Sequence, residues 1–127
     1  MQSLGALIGR VEPGEVEIEM PYRADFTQQN GFVHGGIVTA IVDSACGYAA
    51  LSLSAPGTAV LTVEYKVNFV APAKGERLLA RGEVVRPGST VTVCKGDVVT
   101  YDGGDEKLVA SMLTTMMLMP NRADLAG

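Results

Sequence analysis

Alternation of apolar and polar residues is the dominant pattern along the chain, and it predicts strands. Between residues 61 and 69 every second residue is apolar: Leu61, Val63, Tyr65, Val67 and Phe69. Successive side chains of a strand point to opposite faces, so this period of two predicts a strand with one buried face. Similar patterns predict two short strands in residues 6 to 20, around a Pro13-Gly14 turn, and further strands over residues 76 to 86, 90 to 102 and 106 to 119.

Glycines interrupt this strand-rich pattern at two points. The sequence Asp102-Gly103-Gly104-Asp105 separates the last two predicted strands. It predicts a tight hairpin turn, because the favoured two-residue turns need positive φ, which glycine adopts without strain. At Gly96 the alternation slips, which predicts a β-bulge within the strand over residues 90 to 102.

One segment follows a different period. From residue 36 to residue 53 apolar residues lie on nearly every side of a helix, which is typical of a helix buried all round with no exposed face. Ala55-Pro56-Gly57 is expected to end it. The predicted order is β-β-α-β-β-β-β, an α+β architecture in which an antiparallel β-sheet wraps around one long central helix. Thr62, among the polar residues of the next strand, is expected to point away from that helix.

Composition narrows the class of protein. The chain has 127 residues, 47% hydrophobic and 19% charged, as expected for a single globular domain over residues 1–127. Its formal net charge of −4 argues against nucleic acid or an anionic membrane surface as partners. The first residues lack the pattern of a signal peptide, and polar residues interrupt the apolar run from 37 to 51, so we expect a cytoplasmic protein without a membrane span. Cys46 and Cys94 are expected to be reduced and structural.

The candidate chemistry lies in residues 28 to 47. A helix that begins near Gly35-Gly36 presents N–H groups without intrahelical partners, and the helix dipole adds partial positive charge at that end. Glycine lets a ligand approach this backbone closely, so the segment is a candidate oxyanion site. A tight turn from loop to helix, with no ligand, is the alternative interpretation of the same glycines.

Asp43 is the second chemical feature. It lies mid-helix and shares one face with Thr39 and Gly47. An unpaired buried carboxylate is costly, so Asp43 is expected to meet water, a cation or a functional cavity that Gly47 opens. A structural aspartate, bonded to a loop N–H or to an arginine, is the alternative. His34, the only histidine, is expected to support the loop before the helix, and Gln28 is either a solvated residue or one that orients a water or a carbonyl group.

These residues carry a family resemblance. The pattern Gln28-x5-His34-Gly35-Gly36-x6-Asp43, followed by a strand that ends in FVAPAKGE, resembles the hotdog-fold acyl-CoA thioesterases of the PaaI-like family. The resemblance covers the chain from about residue 5 to residue 118. It implies a hotdog fold and the hydrolysis of an acyl-CoA thioester to a free acid and coenzyme A.

By position, the resemblance implies roles for single residues. Asp43 corresponds to the carboxylate nucleophile or general base, and Gly35 to the backbone N–H that binds the thioester oxygen. His34 corresponds to the residue that supports this loop, and Gln28 and Thr62 to groups near the reacting water or the thioester. Further substrate contacts are expected at six residues, of which the last three are candidates for the coenzyme A arm: Asn30, Gly36, Gly47, Lys66, Lys74 and Arg86.

The resemblance also implies an assembly. Hotdog subunits pair with their sheets side by side, so Gln28 and Gly35 would come from one chain and Asp43 and Thr62 from the other. A homodimer is expected to assemble into a homotetramer. No metal or other cofactor is expected, since coenzyme A enters as part of the substrate. The identity of the acyl group is left open. Two alternative functions remain: a hotdog-fold enoyl-CoA hydratase and a non-catalytic acyl-CoA binding protein.

Overall fold

The computed structural model describes residues 5–22 and 33–120, which form one helix and one antiparallel sheet. The elements are β1 Leu7–Glu12, β2 Glu15–Pro21, α1 Gly35–Ser52, β3 Ala59–Phe69, β4 Arg77–Arg86, β5 Val91–Asp102 and β6 Asp105–Met119. The predicted β-β-α-β-β-β-β order and the hotdog fold are confirmed. The six strands lie in the order β1-β2-β4-β5-β6-β3, so β3 forms one edge of the sheet and β1 the other.

The predicted turns lie where the glycines indicated. Gly14 has a φ of 79° between β1 and β2, while Gly103 and Gly104 have φ values of 59° and 92° between β5 and β6. In that second turn Asp102 pairs directly with Asp105, so only two residues join the strands. Two consecutive positive φ angles match the hairpin turn predicted from Gly-Gly.

Helix α1 lies across one face of the sheet and buries only one of its own sides. Its buried residues are Val38, Ile41, Val42, Ala45, Cys46, Ala49 and Ala50. Gly36 and Ala40 are exposed, and Asp43 and Gly47 are half-buried, so the prediction that the helix has no exposed face is wrong. The physical reason is that a single sheet covers a single side of a helix. The residues on the other side are mostly small, and three of them are polar: Thr39, Asp43 and Ser44.

The helix approaches the sheet most closely over two paired glycines. Gly82 of β4 pairs with Gly96 of β5, and Gly96 pairs in turn with Met112 of β6. A Cβ at Gly82 would overlap the backbone of Ala45, and a Cβ at Gly96 would crowd the helix side chains. The bulge predicted at Gly96 is therefore wrong: the pairing is regular there, and glycine is needed because the helix side chains of Val42 and Cys46 lie directly above it.

Strand β3 contains a bulge that changes which residues face the helix. The register against β6 shifts at Val63, which has no partner. Before it, Thr62 pairs with the buried Met116; after it, Tyr65 pairs with the buried Thr114. One extra residue reverses the alternation, because side chains of a strand switch faces at every step. The expected orientation of Thr62 away from the helix is therefore wrong.

Within the described residues, α1 is the one helix whose length and composition would suit a membrane span. It is not a membrane span here, because strands β2, β4 and β5 pack along its buried side and make it the core helix of the fold.

Candidate active site

The start of α1 has two N–H groups without a partner in the described chain. The N–H groups of Ile37 and Val38 both donate to the carbonyl oxygen of His34, at 3.0 and 3.1 Å. No described residue accepts from Gly35 or Gly36, and the exposed His34 side chain makes no cap hydrogen bond. His34 thus supports the helix start through its backbone carbonyl. The arrangement leaves a helix N-terminus that can bind an oxygen with partial negative charge.

The two glycines at this end have different surroundings. A Cβ on Gly35 would lie 3.1 Å from Cζ of Phe69, because the aromatic ring packs against the Gly35 backbone. A Cβ on Gly36 would meet no described residue within 4 Å. Gly35 is therefore in contact with the end of β3, while Gly36 has no such neighbour in the described part of the chain.

Asp43 has a hydrogen-bond partner on the edge strand. The hydroxyl of Thr62 donates to Oδ1 of Asp43 at 2.9 Å. One turn earlier on the helix, the Thr39 hydroxyl donates to the carbonyl oxygen of Gly35 at 2.8 Å. One turn later, a Cβ on Gly47 would have its nearest contact, 3.7 Å away, with a methyl group of Val60. Thr39, Asp43 and Gly47 thus form a strip along the helix beside β3, which we call the rim strip.

One chain does not bring Gly35 and Asp43 together. They are eight residues apart on a continuous helix, and at about 1.5 Å per residue this puts about 12 Å between them along the axis. A carbonyl group held by the Gly35 N–H at hydrogen-bond distance is then out of reach of the Asp43 carboxylate in the same chain. The two predicted chemical features therefore lie apart on one chain.

The edge strand β3 is long and exposes several apolar side chains. It spans Ala59–Phe69, and its exposed apolar side chains are Leu61, Val63, Tyr65 and Phe69. Exposed edge strands with unpaired backbone groups readily pair with another strand. Because Thr62 belongs to this strand, pairing along β3 would bring a second chain close to the rim strip.

An apolar groove opens beside Gly35. It lies between the first turn of α1 and the segment that follows β3, and it has a volume of about 610 Å³. Its main walls are Val33, Val38, Phe69, Val70, Pro72 and Val109. Sequence reasoning did not select these residues, because they are far apart along the chain. The one signal for them was the strand ending FVAPAKGE.

The remaining predicted site residues are dispersed. Lys66 pairs with the exposed Leu113, and Arg86 pairs with Val93; both lie on the outer face of the sheet, opposite α1. Lys74 lies between β3 and β4 and lines a different hollow. None of the three cations lines the groove beside Gly35. Gln28 and Asn30 lie outside the described residues.

Comparison with known proteins agrees with this geometry. Residues 30–107 match the Thioesterase superfamily. The chain belongs to this superfamily. The match contains the helix start, Asp43 and Thr62, and it places the protein among the thioester hydrolases.

Individual relatives of this thioesterase cover most of its length. It is 51% identical to a thioesterase family protein from Silicibacter pomeroyi, with 94% of this chain and 88% of that one covered and a TM-score of 0.93. It is 31% identical to acyl-coenzyme A thioesterase 13 of Homo sapiens, over 77% of this chain and 69% of the human protein. The E. coli PaaI protein shares the fold, with 23% identity, a TM-score of 0.84, and 93% of this chain and 82% of that one covered.

Proposed function

We propose that this thioesterase hydrolyses acyl-CoA thioesters to the free acid and coenzyme A. The observation that carries the proposal is the Gly35 N–H, which has no acceptor among the described residues and lies at a helix start that opens on an apolar groove. A thioester offers the two parts that such a site recognises: a carbonyl oxygen for the N–H and a hydrocarbon group for the groove. Relatives named as thioesterases support the same reaction class.

In the proposed reaction the Gly35 N–H binds the thioester carbonyl oxygen. Negative charge develops on that oxygen as the carbonyl carbon becomes tetrahedral, and the helix dipole stabilises it more in the transition state than in the ground state. When the C–S bond breaks, the sulfur leaves as the coenzyme A thiolate and takes up a proton. The helix start lowers the barrier by stabilising charge that water would otherwise have to solvate.

Asp43 supplies the attacking group or its activation. As a general base it takes a proton from the water whose oxygen attacks the carbonyl carbon; as a nucleophile it forms a mixed anhydride that water then cleaves. The Thr62 hydroxyl donates to Oδ1, so Oδ2 is left for the reaction. Gln28 is proposed to orient the same water or the thioester. The reaction as written uses no metal or other cofactor.

The active unit is proposed to be a homodimer formed by antiparallel pairing of β3 with its copy. The separation of about 12 Å along one helix requires the two half-sites to come from different chains. Gln28 and Gly35 of one chain would then meet Asp43 and Thr62 of the other. Assembly of two dimers into a homotetramer, binding of the coenzyme A arm by Lys66, Lys74 and Arg86, and a cytoplasmic location stay predictions.

Replacement of Asp43 by Asn tests the catalytic assignment. Asp43→Asn keeps the shape of the side chain and removes its basicity, so release of thiol from hexanoyl-CoA should fall by at least roughly a hundredfold. Asp97→Asn is the matched control, since Asp97 bonds only Ser111 on the exposed outer face, and it should keep wild-type turnover. Near wild-type hydrolysis by Asp43→Asn would contradict the assignment.

Complementation between two inactive variants tests the shared site. Gly35→Pro removes the N–H at the first helical position, where proline fits well and where His34, with φ −55° and ψ 138°, already has the conformation that precedes proline. Gly35→Ala keeps the N–H and is the control for the added carbon beside Phe69. Heterodimers of Asp43→Asn with Gly35→Pro carry one intact site, so co-expression should restore activity that neither variant has alone. No restoration in purified heterodimers would contradict the two-chain site.

The same assays separate the alternatives. Loss of the double bond of an enoyl-CoA without release of thiol would support the hydratase. Tight binding of acyl-CoA with no turnover would support the binding protein.

A further inference from the structure

The described residues that line the groove beside Gly35 present mainly hydrocarbon. Among the described residues that line it, none has a side-chain nitrogen or oxygen. Its volume of about 610 Å³ lies in the range typical of pockets for small ligands. The groove begins at the backbone that is proposed to hold the thioester oxygen, so the acyl chain of a thioester bound there is within reach of it.

The backbone N–H groups of these walls are largely occupied. Val33 donates to the carbonyl oxygen of Ala73 at 2.9 Å. Val70 and Ala71 both donate to the carbonyl oxygen of Val109, at 2.9 and 3.4 Å. A proline at position 72 has no N–H to offer. A hydroxyl group placed in this groove would therefore lose its bonds to water and find no side-chain partner and few N–H donors among the described residues.

Phe69 forms the wall next to the reacting carbonyl. Its Cζ lies 3.1 Å from where a Gly35 Cβ would be, so the ring rests on the backbone that is proposed to bind the oxygen. The side chain is nonetheless 53% exposed, so part of the ring is free to contact a ligand. The carbons that follow a carbonyl bound at Gly35 would run along this ring.

We propose that this groove selects unsubstituted hydrocarbon acyl groups over hydroxylated ones, with Phe69 as the specificity-determining wall. The proposal rests on the proposed thioesterase function, which it narrows to a class of substrates. An apolar pocket discriminates against an added hydroxyl by about tenfold to a hundredfold, because the hydroxyl is desolvated without compensation. The preference should therefore be measurable and finite.

A pair of substrates that differ by one oxygen tests the selectivity. For the wild-type protein, kcat/KM for hexanoyl-CoA should exceed that for 6-hydroxyhexanoyl-CoA by at least about tenfold. Val70→Thr keeps the shape of an exposed wall residue and adds a hydroxyl, so it should reduce this ratio by about threefold or more. Val11→Thr makes the same change on the exposed part of β1, at the opposite edge of the sheet, and should leave the ratio unchanged.

Truncation of the ring tests the part assigned to Phe69. Phe69→Ala should raise KM for hexanoyl-CoA by about tenfold, through lost apolar contact, with kcat little changed. For acetyl-CoA, whose methyl group barely enters the groove, KM should change less than twofold. A uniform change for both substrates would overturn the role of Phe69.

The outcomes for the inference and for the proposed function are distinguishable. Hydrolysis of hexanoyl-CoA and 6-hydroxyhexanoyl-CoA at equal kcat/KM would overturn the selectivity and leave the thioesterase function intact. Absence of thiol release from every acyl-CoA, acetyl-CoA included, would overturn both.

Discussion

Glycines at the two sides of helix α1 serve opposite purposes. On the side that faces the sheet, Gly82 and Gly96 lie under the helix because there is no room for a Cβ. On the rim strip, Gly47 has room: a Cβ there would make only ordinary contacts. Glycine in the first case permits close packing, and in the second it leaves space beside Asp43.

We expect this difference to separate stability from chemistry on one helix. Replacement of residues in the packed contact between helix and sheet should unfold the protein, and replacement of residues on the rim strip should change turnover. Under the proposed mechanism, the packed side would hold the reactive groups of the rim strip in place. Four changes test the separation.

The largest effect is expected at the closest contact between helix and sheet. Gly82→Ala places a carbon into the backbone of Ala45, so the helix must move away, and the free energy of unfolding should fall by about 3 kcal/mol. Gly9→Ala is the matched control, because the nearest atom to its Cβ is 3.7 Å away. Urea unfolding followed by circular dichroism measures both. Equal stability of the two variants would contradict the close approach.

Alkaline pH should lower the free energy of unfolding, because two thiols are buried where the helix packs on the sheet. Burial raises the pKa of the Cys46 thiol to about 12 and that of Cys94 to about 11, from an ordinary value of 9.0. The unfolded chain loses these protons first, so this contribution to stability is complete below about pH 9 and falls as pH rises from about 9 towards the folded-state values. We expect a loss of about 3 kcal/mol by pH 10. The Cys46→Ala/Cys94→Ala double variant should have a flatter pH profile of unfolding free energy.

Beside the rim strip, a change at Thr62 is expected to lower turnover and to have a smaller effect in free energy than the changes above. Thr62→Val removes the hydroxyl that donates to Asp43 while keeping the shape of the side chain. We expect kcat to fall about tenfold with KM little changed, because one hydrogen bond that orients the carboxylate is lost. Thr62→Ser keeps the donor and should keep most of the activity. If Thr62→Ser is as impaired as Thr62→Val, the bond is not what matters.

The smallest effect is expected at Gly47, where a substitution should raise the free energy of unfolding but lower kcat/KM. Gly47→Ala improves helix propensity without a clash, so the free energy of unfolding should rise by about 0.5–1 kcal/mol. The added methyl group takes up space beside the reactive carboxylate, so kcat/KM should fall severalfold. Unchanged kcat/KM in the stabilised variant would remove Gly47 from the substrate-contacting residues.

Strand β3 illustrates how far the sequence alone could go. Its alternation predicted the strand and its length well, yet the bulge at Val63 placed Thr62 on the face opposite to the one expected. A bulge depends on how two strands are paired, and a single strand's alternation carries no information about its partner. Gly96 illustrates the converse, since a slip in the pattern came from the helix above the strand and not from a bulge.

The sequence by itself determined the order of elements, the hairpin turns, the start of the helix and the pair of chemical features at Gly35 and Asp43. These depend on periodicity, turn residues and backbone ends, which are local properties. Only the tertiary structure decided that Thr62 bonds Asp43 and that Phe69 rests on Gly35. Such contacts join residues remote in sequence, so they follow from strand register and close packing, which no local pattern encodes.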